Sequence, residues 1–161
     1  MRAFTPFAAV LFACAACVTS AHASDWTGAY ARIDKVVLEP NAETPETVQI
    51  WGVFSVTDPK EPGGYQPVAR GYMYFKLDHN PESNRLGRDP EQAVTEWNDL
   101  KRLAGTGQIV TFGSRTATPP RVRKADEKPD SHDFYVMNSS PVRVRSDTDY
   151  PPIKAIADFK D

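Results

Sequence analysis

The stretch VQIWGVFSVT, residues 48–57, constrains the fold more than any other part of the chain. In an extended strand successive side chains point to opposite faces. Val48, Ile50, Phe54 and Val56 therefore share one face, with Gly52 at the fifth position of that row, while Trp51 and Val53 point the other way. A strand that is apolar on both sides must be covered at least in part on both.

Other segments repeat the strand pattern between turns, as heavy punctuation by Gly and Pro favours. In YARIDKVVLEP, residues 30–40, Ala31 and Ile33 are followed by Val36 and Leu38. That broken alternation predicts a bulge or bend near Asp34 and Lys35. In ARGYMYFKLDH, residues 69–79, Gly71, Met73, Phe75 and Leu77 form the inward row, and Tyr72, Tyr74 and Lys76 the outward one. The two tyrosines then either present a contact surface or lie under a helix with Trp97 packed on them.

That helix is expected over residues 89–105. Asp89 can cap it, Pro90 suits its first position, and Gln92 stands at capping-box spacing. Ala93, Trp97, Leu100 and Ala104 make the apolar stripe, and Gly105 the stop. QIVTFGS follows as a strand, with Ile109 and Thr111 on one face and Val110 and Phe112 on the other. Residues 115–133 are polar, charged and proline-bearing, and read as an exposed loop. FYVM and PVRVR are short strand candidates, and the alternation of Ile153, Ala155, Ala157 and Phe159 after Pro151-Pro152 predicts a final strand. The order gives a mostly β (α+β) fold of five to six strands with one helix inserted after the third. It is either a small open antiparallel sheet or an OB-like barrel.

The N-terminus bears on location. Residues 1–23 combine a single positive charge at Arg2, an apolar run and a closing Ala21-His22-Ala23. These are the three parts of a secretory signal peptide, and the run falls short of the about 20 residues of a transmembrane helix. Lipid attachment at Cys14 or Cys17 is the alternative to cleavage, but Phe12 is bulky where such sites favour small residues. Cleavage after Ala23 leaves 138 of the 161 residues as one domain, with 18 basic and 21 acidic side chains. The expected location is periplasmic or secreted. Both cysteines leave with the signal, so the exported chain has no disulfide and no thiol nucleophile, and its stability must come from packing.

Chemistry-bearing patterns are sparse. No G-x-S-x-G, H-E-x-x-H, calcium loop or phosphate-binding glycine loop occurs. Asp130-Ser131-His132-Asp133 has the letters of a triad, but adjacent residues do not converge as a triad does. Asp78, His79, His132 and Asp133 are the weak metal-ligand candidates, dependent on the strand end meeting the loop. No cofactor is implied. Arg115, Arg121, Arg123 and Lys124 cluster, yet Asp126, Glu127, Asp130 and Asp133 follow at once. With an acidic net charge, this argues against nucleic acid as partner.

Tyr72 and Tyr74 remain as amphipathic surface candidates beside the basic loop, a combination common in protein and glycan contact surfaces. Gly71 to Phe75 (G-Y-x-Y-F), Glu96 to Leu100 (E-W-x-x-L) and Gly105 to Gly107 (G-T-G) make the chain resemble small exported bacterial proteins of uncharacterised function. The resemblance carries over no activity. The expectation is an exported binding module using Tyr72, Tyr74, Arg121 and Arg123 toward a protein or glycan partner. The alternatives are a metal- or carboxylate-dependent hydrolase using Asp78, His79 and His132, and a structural subunit of an envelope complex.

Overall fold

A computed structural model describes residues 26–38, 47–76, 90–115, 119–130, 133–135 and 142–160. The signal segment, Asp78, His79, the Asp89 cap and His132 lie outside the described residues.

Among the described residues six strands and two helices follow in chain order. They are β1 (Trp26–Leu38), β2 (Thr47–Val56), β3 (Ala69–Lys76), α1 (Pro90–Leu103), β4 (Ile109–Arg115), β5 (Phe134–Tyr135), β6 (Arg143–Arg145) and α2 (Pro151–Ala157). They form one sheet in the order β5-β3-β2-β1-β4-β6. Neighbours run antiparallel except β5, which lies parallel to β3. The sheet is open, with β5 and β6 at its ends, so of the two expected forms it takes the sheet rather than the barrel.

Each face of the sheet carries its own apolar cluster. On one, Ala31, Ile33, Ile50, Phe54, Met73, Phe75, Val110 and Phe112 pack against Trp97, Leu100 and Leu103 of α1. Phe75 meets Trp97 at 6.2 Å and Phe112 at 5.2 Å between ring centroids. Each such fully buried side chain contributes about 1.5–3 kcal/mol. In the chain α1 comes between β3 and β4, which lie on opposite sides of the β2–β1 pair, and it covers this face.

The opposite face is covered by α2, whose Ile153 and Ile156 pack with Tyr30 and Val53, flanked by Ile109. Both faces of β2 are thus covered, as its sequence requires. The tail is therefore a helix and not the final strand that its alternation predicts. Pro151 and Pro152 occupy the first helical turn, where a missing N–H costs nothing. Pro152, Ile153 and Ile156 supply the buried side, while Ala155 and Ala157 are exposed. The period-two pattern rested on two alanines, which favour a helix and are depleted in strands. What decided the outcome is a half-covered sheet face that Ile153 and Ile156 can complete from a helix.

Candidate binding face

A one-residue slip in β1 arranges the candidate site. The β1–β2 pairing runs Ile33 with Gly52 and then Lys35 with Trp51, which leaves Asp34 as the extra, bulged residue. Before the bulge Ala29, Ala31 and Ile33 face the α1 core, and after it Val36 and Leu38 do. The broken alternation in the sequence is this change of phase. Its other product is that Lys35 and Val37 move onto the α2 face of the sheet.

The bulge is held from two sides. The Gly105 N–H donates to the Ile33 carbonyl at 2.8 Å, just past the end of α1, with Gly105 at φ 73°. Across the pair Gly52 has no room for a side chain. A Cβ there would fall under 3.0 Å from the Arg32 carbonyl oxygen and 3.1 Å from the Ile33 Cα. Asp34 itself pairs with Arg70 of β3 at 2.6 Å.

Register then aligns four residues across the sheet. Lys35 pairs with Trp51, Trp51 with Tyr72, and Tyr72 bridges to Arg123. Trp51 and Tyr72 are half-buried, with ring centroids 4.7 Å apart and a tilt of 59°. The exposed Lys35 holds its Nζ 5.7 Å from the centre of the Tyr72 ring, within cation–π range. In the neighbouring row Val37, 43% exposed, pairs with Gln49, and Gln49 with Tyr74. These residues lie beyond the stretch occupied by the α2 cluster.

One border of this face is built by the segment that carries Arg123. It joins the β5 side of β3, next to the β5 pairing, through two backbone bonds, Tyr72 N–H to the Arg123 carbonyl at 2.6 Å and Arg123 N–H to the Tyr72 carbonyl at 2.8 Å. Gly71 permits that approach, since a Cβ there would strike the Arg123 backbone and come within 2.9 Å of a Val122 methyl. The Arg123 guanidinium is buried and donates to Asp133 at 2.5 Å and Asp130 at 2.7 Å. Asp133, only 1% exposed, also accepts the Asp130 N–H at 2.8 Å. Hydrogen bonding to Asp133 is the main reason that the Arg123 pKa is raised. Arg121 is exposed and pairs with Glu127 at 2.7 Å, while Glu127 accepts the Lys124 N–H, which is the main cause of its lowered pKa.

No protein family, curated protein or solved structure matches the chain.

Of the four residues favoured from sequence, Tyr72 borders the open part of the face. Tyr74, at 4% exposure, is buried, and burial raises its pKa first, followed by Tyr72 and Asp133. Neither tyrosine lies under α1, because Trp97 packs on Phe75 from the other side of the sheet. Arg121 is at the surface, and Arg123 is committed to Asp130 and Asp133 inside the fold. Within the segment read as an exposed loop, Arg121 and residues 124–126 are exposed, whereas Pro120, Arg123 and Asp133 are buried. The metal candidates are not brought together among the described residues: Asp78, His79 and His132 fall outside them, and Asp133 is tied to Arg123. Among the described residues no group of three or more potential ligands forms a metal site.

Sequence reasoning missed Lys35 and Val37 as part of the face. The signal was present in the phase change at Asp34, but which side each half of β1 would show depends on its partner strand.

Proposed function

We propose that the protein is an exported interaction module that engages its partner through the face carrying Lys35, Val37, Trp51 and Tyr72. One observation carries this reading: half-buried Trp51 and Tyr72 pack against each other at a tilt across two strands, with an exposed Lys35 over one ring and an exposed Val37 alongside. Such a group offers apolar area at low entropic cost together with polar tips. Tryptophan and tyrosine are also the residues that dominate binding hot spots. The backbone beneath is a four-segment ladder pinned by the bulge and by the Arg123 cluster, so the face is preorganised. Residues 1–23, with the make-up of a signal peptide, support export.

The test is site-specific photo-crosslinking in living host cells. A photoreactive amino acid is placed at Lys35 or Val37, and in a control at Lys154, exposed on α2. The reading expects one discrete adduct from positions 35 and 37, lost on Tyr72→Ala, and none from 154. Equal adducts from all three positions, or none from 35 and 37, would overturn it.

A further inference from the structure

A second tyrosine cluster lies on the α2-covered part of the same face. Tyr65 follows the Gly63-Gly64 turn and is pinned by its bridge to Thr57 and by the Gln66 N–H bond to the Val56 carbonyl at 2.7 Å. Tyr150 stands at the N-terminus of α2, where its carbonyl accepts the N–H groups of Ile153 at 3.0 Å and Lys154 at 2.9 Å. Their phenolic hydroxyls are hydrogen-bonded to one another. The two rings are 6.0 Å apart and meet edge to face at 89°. Tyr30 sits 6.0 Å from Tyr65 and 5.5 Å from Tyr150, but it is buried whereas the other two are partly exposed. The Arg145 guanidinium, held by Asp147, borders Tyr30 and Tyr150 at 5.7 Å from each ring centre.

We propose that Tyr65 and Tyr150 form an oxidative cross-linking site, joined by a one-electron oxidant into an intramolecular dityrosine. A peroxidase working from hydrogen peroxide is such an oxidant. Each phenol gives up one electron and its hydroxyl proton, leaving a phenoxyl radical with spin density on the ring carbons beside the oxygen. One such carbon of each ring couples to the other in a new C–C bond. Each coupled carbon then loses its hydrogen as a proton while the oxygen regains one. Two hydrogen atoms leave in all, and one hydrogen peroxide is reduced to two waters.

The starting geometry favours this pair over the others. In the product the two hydroxyls flank the new bond and face each other, and these hydroxyls are already in contact. Partial exposure lets an oxidant reach both rings, which burial denies to Tyr30. The bond would tie the 57–68 connection to the C-terminal helix across 85 residues of chain. Cys14 and Cys17 are the only cysteines, both within residues 1–23, so a chain freed of that segment has no disulfide to do the same. This inference does not depend on the Lys35–Trp51–Tyr72 face.

The experiment treats the purified protein with hydrogen peroxide and a peroxidase, then maps cross-linked peptides by mass spectrometry. The expected result is a monomer two hydrogens lighter, with dityrosine fluorescence and one linked peptide pair that contains Tyr65 and Tyr150. Tyr65→Phe and Tyr150→Phe should each abolish that product, and Tyr72→Phe should leave its yield unchanged. A dominant link between Tyr72 and Tyr74 or through Tyr30, or between two molecules, would overturn the assignment. So would an undiminished yield in Tyr65→Phe. The peptide map of the unaltered protein decides the question even if a variant folds poorly.

Discussion

Gly52→Ala tests the arrangement on which the binding face depends. Gly52 lies opposite Ile33, where β1 bulges, and a methyl group there would meet the Arg32 carbonyl oxygen and the Ile33 Cα. Both are backbone atoms of a strand paired on each side, so no side chain can swing away to make room. Overpacking of this kind costs about 1–3 kcal/mol. Replacing glycine also restricts the unfolded chain, which returns about 0.4–1 kcal/mol. Taking the middle of each range, the net loss should be about 1–2 kcal/mol. Between the size classes for which the relation is known, each kcal/mol moves Tm by roughly 3–5 °C, so Tm should fall by roughly 3–10 °C. Thermal and urea unfolding followed by far-UV circular dichroism would measure it. Gly28→Ala is the internal comparison. There a Cβ would make only ordinary contacts, 3.7 Å from the Thr57 methyl and 3.9 Å from the Phe112 carbonyl oxygen, and Tm should hold or rise slightly. If Gly52→Ala costs no more than Gly28→Ala, β1 does not press on β2 as described, and the phase change that places Lys35 and Val37 loses its physical basis.

Further outcomes follow from the same packing. Gly71→Ala should push the Arg123 segment off β3, which hydrogen exchange would register as faster exchange at the Tyr72 and Arg123 amides while β1 and β2 stay protected. Ile156→Ala removes a fully buried side chain from the α2 cluster and should cost about 2–5 kcal/mol in urea unfolding; a loss under about 0.5 kcal/mol would be no more than a surface substitution gives and would mean that α2 is not docked on the sheet. Burial, with help from the Tyr150 hydroxyl, pushes the Tyr65 pKa up from 10.0 to about 12. Its phenol form is thus favoured in the fold, and the stability this confers is complete below pH 10 and lost as pH rises toward about 12. Tyr65→Phe should flatten that alkaline decline in urea midpoint, and an unchanged slope would contradict the assignment.

Much of the scaffold was legible in the chain because it rests on local periodicity. The VQIWGVFSVT strand, the inward row of Met73 and Phe75, the helix that stops just before Gly105 and the split faces of β4 all follow from which residues recur at steps of two or near four. The bulge near Asp34 was legible for the same reason. Its consequence was not, because a phase change says that sides are exchanged and only the partner strand says which side is the core.

The remaining features belong to the tertiary structure. The tail is short, and its period-two spacing competed with two alanines that favour a helix and with the i, i+3 spacing of Ile153 and Ile156. The uncovered Tyr30 and Val53 made a helix the better cover. Arg123 looked like one charge in a polar run, yet a cluster with Asp130 and Asp133 turned it inward. Tyr65 and Tyr150 are separated by 85 residues, and nothing in the local pattern of either announces the other. The sequence by itself determined the four longer strands, where α1 would end and where β1 would break step, since those depend on neighbours within a few residues. The tertiary structure alone decided which tyrosines would meet, which arginine would be buried and what would cover the second face of the sheet. Those outcomes depend on contacts between segments far apart in the chain, whose energies appear only once the sheet has formed.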